Sequence, residues 1–115
     1  MEHIPMRREV WYAELPLRDG SFIQGGNRPV VIISNNACNT MNSIVTVVPL
    51  TRKLKKLSLP THVVIDSPDG GKSMALVEQM MTIDKSLLAD RLGECSREDM
   101  ANIEESIRNQ LGLDF

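Results

Sequence analysis

The sequence is poor in cysteine and histidine, which limits the metal and redox chemistry open to it. Its 115 residues include two cysteines, Cys38 and Cys95, and two histidines, His3 and His62. The cysteines form no CxxC pair, and neither histidine has a second His or Cys at ligand spacing. We therefore expect no metal site, two free thiols and no catalytic cysteine. We expect His62 to be a half-exposed strand residue.

Long apolar runs and an excess of positive charge are also absent. No run approaches the ~20 residues of a membrane-spanning helix, and "MEHIPMRREV" lacks the apolar core of a signal peptide. We expect a cytoplasmic protein that does not bind a membrane. The formal net charge is −2, whereas a strongly basic composition is the usual sign of nucleic-acid binding.

The sequence has no Gly-rich phosphate loop, internal repeat, low-complexity segment or linker. Hydrophobic residues nevertheless make up 42% of the chain, as is ordinary for a soluble globular protein. A chain of this length buries roughly two-thirds of its unfolded surface and needs neither metal nor disulfide to stay folded. We expect one domain over residues 1–115.

Short segments rich in Val and Ile, separated by Gly, Pro, Asn and Asp, predict a mainly β protein. The turn residues from Pro68 to Gly71 predict a hairpin between two of these segments. Pro29 has no N–H, so we expect it at the first residue of its strand or on a sheet edge. The predicted strands are residues 10–15, 29–34, 43–50, 62–65, 73–77 and 87–92.

The end of the chain changes period and predicts one amphipathic helix over residues 96–111. Ser96 followed by Asp99 fits a capping box, and Gly112 lies where a helix is expected to end. The apolar residues that recur on one helical face are Met100, Ile103, Ile107 and Leu111. Strands followed by a helix predict an α+β fold, a small β-barrel or curled sheet of about five to seven strands with a packed C-terminal helix.

A glycine pair and an arginine stand at the beginning of the second predicted strand. Gly25 and Gly26 lack Cβ atoms, so the backbone can bend there and a ligand can come close. The guanidinium of Arg28 offers a planar fork of donors that suits phosphate. An ordinary loop with a surface salt bridge is an equally weighted interpretation.

Thr51 follows the third predicted strand in "VVPLTRKLKK". Its hydroxyl can bind a phosphate oxygen, although a turn or capping residue is the commoner role for such a threonine. The basic residues directly after it are more often a solvated face than a binding site. They are Arg52, Lys53, Lys55 and Lys56.

Two further pairs of side chains can contact nucleic-acid bases. Trp11 and Tyr12 can stack on bases, but strand alternation turns one of them towards the core. Glu78 and Gln79 follow a strand and can read a base edge, and a structural hydrogen bond is an equally good interpretation.

Six segments over nearly the whole chain match one family in order and spacing. They are "VWYAEL" (10–15), "GSFIQGGNRPVVIIS" (20–34), "VTVVPLTRK" (45–53), "LPTHVVI" (59–65), "ALVEQMMTIDKSLL" (75–88) and "RLG" (91–93). With these segments the chain resembles the MazF/PemK toxins, the endoribonuclease halves of bacterial toxin–antitoxin pairs.

The resemblance implies an SH3-like β-barrel of the CcdB/MazF type, a homodimer, and a cognate antitoxin. It implies sequence-specific cleavage of single-stranded RNA, usually mRNA, with no metal or other cofactor. The family's catalytic Arg falls on Arg28 and its catalytic Thr on Thr51. The residues we expect to contact the substrate are Gln24, Gly25, Gly26, Asn27, Arg52, Lys53, Lys55, Lys56, Glu78 and Gln79.

Two departures from the family pattern leave the mechanism and the function class open. Family members commonly read "GSEQGG" where this chain reads "GSFIQGG", and many have Arg where it has Met81. With the loop Glu missing, Glu78 is a candidate general base only by its place after a strand. The alternatives are a CcdB-like gyrase inhibitor of the same fold and an RNA-binding module that does not cut.

Overall fold

Within residues 3–113, which are those the structure describes, seven antiparallel strands form a curled sheet and a long helix packs against it. The coordinates are a computed structural model. The elements are β1 (Glu9–Leu15), β2 (Gly26–Ile32), α1 (Asn36–Met41), β3 (Ile44–Thr51), β4 (His62–Asp66), β5 (Lys72–Leu76), β6 (Met81–Asp84), β7 (Leu88–Glu94) and α2 (Arg97–Leu111). Single 3₁₀ turns lie at Val77–Gln79 and Lys85–Leu87.

The strand order places the middle of the chain at the centre of the sheet. Neighbouring strands run in the order β4-β5-β3-β2-β1-β7. The long β3 pairs with β6 along Ile44–Val47 and with β5 through Leu50 and Thr51. The mainly β fold with a C-terminal helix is confirmed, and its seven strands lie within the expected number.

Both faces of β2 are buried, which explains its unbroken run of Val and Ile. Val31 packs in one apolar cluster, which α2 covers with Met100 and Ile103. Val30 and Ile32 point the other way into a second cluster. Two cores on opposite faces of the same strand fix the path of β2, and they fix the position of the residues just before it.

The C-terminal helix begins and ends as the sequence predicts. The Ser96 hydroxyl accepts a hydrogen bond from the backbone N–H of Asp99 at 3.0 Å. Gly112 has φ +66°, a left-handed conformation that glycine adopts without strain. No helix in the described part of the chain is long and apolar enough to cross a membrane.

Two elements were not predicted, and one strand begins earlier than expected. The helix α1 is a single polar segment whose first turn is capped by the Asn35 side chain, and β6 has only four residues. The strand β2 begins at Gly26, so Pro29 lies inside it rather than at its first residue. Proline is tolerated there because the ladder to β3 begins only at Val30, which leaves an edge on that side.

Candidate active site

Arg28 and Thr51 come together where the beginning of β2 meets the end of β3. The two strands pair with Val30 opposite Pro49. Arg28 lies two residues before this pair on β2 and Thr51 two residues after it on β3, and the Arg28 guanidinium reaches the Leu50 carbonyl, directly before Thr51. The two residues are far apart in the sequence, and the pairing of their strands brings them to neighbouring strand ends.

The guanidinium of Arg28 is half-buried and is oriented by two backbone carbonyls. Its Nε donates to the Gly25 oxygen at 3.1 Å, and its Nη1 donates to the Leu50 oxygen at 3.4 Å. The first contact fixes Arg28 to its own loop, and the second fixes it to the strand that ends in Thr51. The remaining N–H groups of the fork are available for an anion.

The glycine pair allows two segments of backbone to pack closely. A Cβ atom at Gly25 would lie 2.5 Å from the carbonyl oxygen of Pro16, which no side chain can tolerate. Gly26 has φ +81°, a left-handed backbone conformation. The glycines therefore shape the loop that orients Arg28. The close contact that the missing Cβ of Gly25 allows is with the Pro16 backbone.

Thr51 is half-buried and combines a turn contact with a free donor. Its Oγ1 accepts a hydrogen bond from the backbone N–H of Lys53 at 3.2 Å. Because that oxygen acts as an acceptor in this contact, the hydroxyl hydrogen stays available for another acceptor. The turn role and the role of phosphate donor are therefore compatible.

The basic residues after Thr51 divide into one structural arginine and three exposed lysines. Arg52 donates to the Gly70 carbonyl at 2.7 Å and to the Asp69 carboxylate at 2.8 Å, so it ties β3 to the turn between β4 and β5. A hydrogen bond from Ser67 and the nearby Arg52 outweigh burial and lower the pKa of Asp69. The exposed lysines are Lys53, Lys55 and Lys56.

Glu78 and Gln79 make contacts within the protein. The Glu78 Oε2 lies 2.6 Å from Nε2 of His62, and its Oε1 is buried without a hydrogen-bond partner among the described residues. Gln79 binds the loop before Arg28, where its Oε1 accepts from the Gln24 N–H at 2.7 Å and its Nε2 donates to the Phe22 carbonyl at 3.3 Å.

His62 is the first residue of β4 and is of intermediate exposure, as expected, but its side chain is only 6% exposed. Sequence reasoning missed the contact with Glu78, although the predicted hairpin contained the information. The ladder sets His62 opposite Leu76, only two residues before Glu78.

Asn27, the residue directly before Arg28, is exposed.

The two aromatic residues of β1 and the two thiols differ in exposure. Trp11 is 8% exposed and belongs to the second apolar cluster, and Tyr12 is half-buried. Cys38 is exposed, whereas Cys95 is buried. Burial raises the pKa of the Cys95 thiol to about 11, which makes it a poor nucleophile.

Comparison with known proteins identifies the family of the chain. Residues 6–111 match the family model of the PemK-like, MazF-like toxins of type II toxin–antitoxin systems. The endoribonuclease EndoA of Bacillus subtilis is 37% identical over 113 residues, which cover 96% of this chain and 97% of that protein.

Solved structures agree in fold. A mycobacterial endoribonuclease in complex with its cognate antitoxin has a TM-score of 0.78 and 29% identity, covering 96% of this chain and 98% of that one. MazF of Deinococcus radiodurans has a TM-score of 0.85 at 21% identity, covering 97% and 100%. The chain belongs to the PemK-like, MazF-like toxins of type II toxin–antitoxin systems.

Proposed function

We propose that this endoribonuclease toxin cuts single-stranded RNA where the beginning of β2 meets the end of β3, with Arg28 and Thr51 as its catalytic residues. The observation that carries the assignment is the double anchoring of the Arg28 guanidinium. The carbonyls of Gly25 and Leu50 hold it beside the end of β3, where Thr51 is the last residue.

The chemistry requires little beyond such fixed donors. The 2′-hydroxyl of a ribose attacks the neighbouring phosphorus in line and loses its proton. The 5′-oxygen of the next nucleotide leaves and takes up a proton, and a 2′,3′-cyclic phosphate remains. Negative charge grows on the non-bridging oxygens. The pre-oriented Arg28 and the Thr51 hydroxyl therefore bind the transition state more strongly than the ground state. DNA lacks the nucleophile and is not cut.

The exposed lysines after Thr51 bind the RNA backbone on one side of the scissile phosphate. Lys53, Lys55 and Lys56 supply the positive charge that the chain as a whole lacks. Arg52, Glu78 and Gln79 already have partners within the fold, so their contribution is to shape the site. Gln24, Gly25, Gly26 and Asn27 contact RNA through the loop that carries Arg28.

The same lysines fit an acidic segment of a cognate antitoxin. A carboxylate-rich peptide over Lys53, Lys55 and Lys56 would occupy the positions of RNA phosphates, so peptide and RNA compete and both contacts weaken in salt.

The proposal includes a homodimer, because two copies of the chain form a longer RNA-binding groove than one small sheet offers. Sedimentation that shows a monomer at every concentration would contradict this part of the proposal.

The test is incubation of the full chain with a long RNA in EDTA, followed by mapping of the cut positions. We expect cuts at a recurring sequence, and a fall of roughly 10²–10³-fold in single-turnover rate for Arg28→Ala. Arg97→Ala, which removes an exposed arginine on α2, is the matched control with an unchanged rate. A folded Arg28→Ala that cuts at the wild-type rate would overturn the assignment. Gyrase-dependent DNA breaks without RNA cuts would overturn the function.

A further inference from the structure

The loop between β1 and β2 exposes a group of large apolar side chains beside the proposed site. Phe22 is 96% exposed, Leu17 is 81% exposed and Ile23 is 48% exposed. Isolated exposed apolar residues are common on protein surfaces and do not indicate a function. Here three of them share the one loop that leads into Gly25 and Arg28, and exposed apolar side chains gathered together are typical of contact sites.

The backbone that carries Phe22 is held in place from another element. The side-chain amide of Gln79 binds the Phe22 carbonyl at 3.3 Å and the Gln24 N–H at 2.7 Å. Within the loop, the Ile23 N–H donates to the Ser21 hydroxyl at 3.1 Å. The phenyl ring is therefore displayed to solvent from a loop with a defined path.

The backbone of Phe22 lies near the loop residue that orients the proposed catalytic arginine. Phe22 precedes Gly25 by three residues, and Gly25 accepts a hydrogen bond from Arg28. Three residues span at most about 11 Å even when fully extended. A base next to the cleaved phosphate lies within that reach.

We propose that Phe22 is a stacking platform for one base of the RNA substrate, adjacent to the scissile phosphate, and thereby a substrate-selecting residue. The inference rests on the proposed function. Unpaired RNA bases stack on exposed aromatic rings, and every base offers a π face. Of the other aromatic residues in the described part of the chain, Trp11 is buried in the core and Tyr12 is half-buried. Phe22 is the ring most open to a base.

The experiment measures binding of an RNA with a mapped cut site, blocked by a 2′-deoxy sugar there and carrying 2-aminopurine at either neighbouring position. Stacking on an aromatic ring changes the fluorescence of that base. Phe22→Ala and Phe22→Leu should bind roughly 5- to 100-fold more weakly and lose the fluorescence change at one of the two positions. Phe22→Trp should keep both the RNA affinity and the fluorescence change. At saturating RNA, the single-turnover rate of Phe22→Ala on the cleavable strand should stay close to wild type.

Met41→Ala is the matched control, because Met41 is 85% exposed at the last residue of α1, outside the β1–β2 loop. Unchanged RNA affinity and fluorescence in Phe22→Ala would overturn the inference, while loss of cutting in Arg28→Ala would leave the proposed function intact. A changed sedimentation coefficient with unchanged RNA affinity would assign Phe22 to contact between copies and would also overturn it.

Discussion

His62 and Glu78 form a pair that joins the beginning of β4 to the turn after β5, with Nε2 and Oε2 2.6 Å apart. The other ring nitrogen of His62 lies 3.2 Å from the Lys55 carbonyl and 3.1 Å from that of Lys56. Carbonyls only accept hydrogen bonds, so Nδ1 is the donor in these two contacts. The imidazole thus connects the lysine-bearing loop to Glu78.

Replacing His62 should therefore cost stability and RNA affinity together. We expect His62→Phe to lower the free energy of unfolding by about 1–3 kcal/mol, because Glu78 loses its partner while it is only 30% exposed. Urea titration measures this loss. RNA binding should weaken as well, since Lys55 and Lys56 lose their anchor.

A double-mutant cycle that combines His62→Phe with Glu78→Leu measures how much the contact between these two side chains contributes to the free energy of unfolding. If the two residues stabilise the fold through their mutual contact, the double variant loses less than the sum of the single losses. Losses that simply add would show that the 2.6 Å contact contributes nothing of its own.

Gly25→Ala should disturb the site more than Gly20→Ala does, although only Gly20 has a left-handed backbone. The new Cβ at position 25 would lie 2.5 Å from the Pro16 carbonyl, whereas at position 20 it would meet nothing within 4 Å. We expect a stability loss of about 1–3 kcal/mol for Gly25→Ala and about 1 kcal/mol for Gly20→Ala.

Cleavage distinguishes the two glycine variants further. Shifting the loop moves the carbonyl that orients Arg28, so Gly25→Ala should lose most of its single-turnover rate and Gly20→Ala should keep it. Equal rates in the two variants would mean that the Gly25 carbonyl does not position Arg28.

Thr51→Val tests the hydroxyl with the side-chain volume kept. We expect the cleavage rate to fall, by less than the roughly 10²–10³-fold of Arg28→Ala, because a neutral donor contributes less than a charged fork. Thr51→Ser keeps the hydroxyl and should retain most of the rate. A serine variant as slow as the valine variant would point to the methyl group, and a melt of each variant checks that it is folded.

The sequence predicted the elements with strong patterns and missed those that tertiary contacts create. The heptad-like spacing from Met100 to Leu111 and the Ser96 cap fixed α2 almost to the residue. The polar α1 and the four residues of β6 have no such pattern, because a side-chain cap and pairing with β3 hold them in place.

The site was predictable as far as residue type and order along the chain allow. Arg28 and Thr51 are candidates by residue type and by the family resemblance, but their approach depends on the pairing of β2 and β3. The sequence did not predict that Arg52 and Gln79 bind other parts of the fold. A long polar side chain gives the same sequence pattern whether it contacts RNA or a turn of its own chain. Burial of His62 likewise depends on the loop that folds over it.

The two thiols should react very differently. Burial raises the pKa of Cys95 to about 11, so at pH 8 it remains a protonated thiol, while Cys38 is exposed. We expect a thiol reagent to modify one cysteine in the native protein and both in denaturant. Cys38→Ser should remove the native reaction. Rapid native modification of that variant would contradict a buried Cys95.

Glu9 should make the fold sensitive to acid. The residue is 4% exposed, and its carboxylate accepts from the Met6 N–H at 2.8 Å, Trp11 Nε1 at 3.1 Å and Arg91 Nε at 2.8 Å. Burial raises the pKa of Glu9, but these hydrogen bonds, with one from His3, outweigh it and leave the pKa below the ordinary 4.5. The folded state therefore binds this proton less readily than the unfolded chain.

It follows that the stabilisation from Glu9 is fully present above pH 4.5 and is lost as the pH falls through the lower value of the folded state. At pH 7 we expect Glu9→Gln to reduce the free energy of unfolding by about 1–3 kcal/mol, with the difference from wild type shrinking on acidification. Urea titrations from pH 7 to about pH 3 measure it, because that range spans the ordinary pKa of 4.5. Glu14→Gln, which changes an exposed carboxylate on the same strand, is the control with little effect. A constant difference between wild type and Glu9→Gln across that range would show that the Glu9 carboxylate is not the acid-sensitive group.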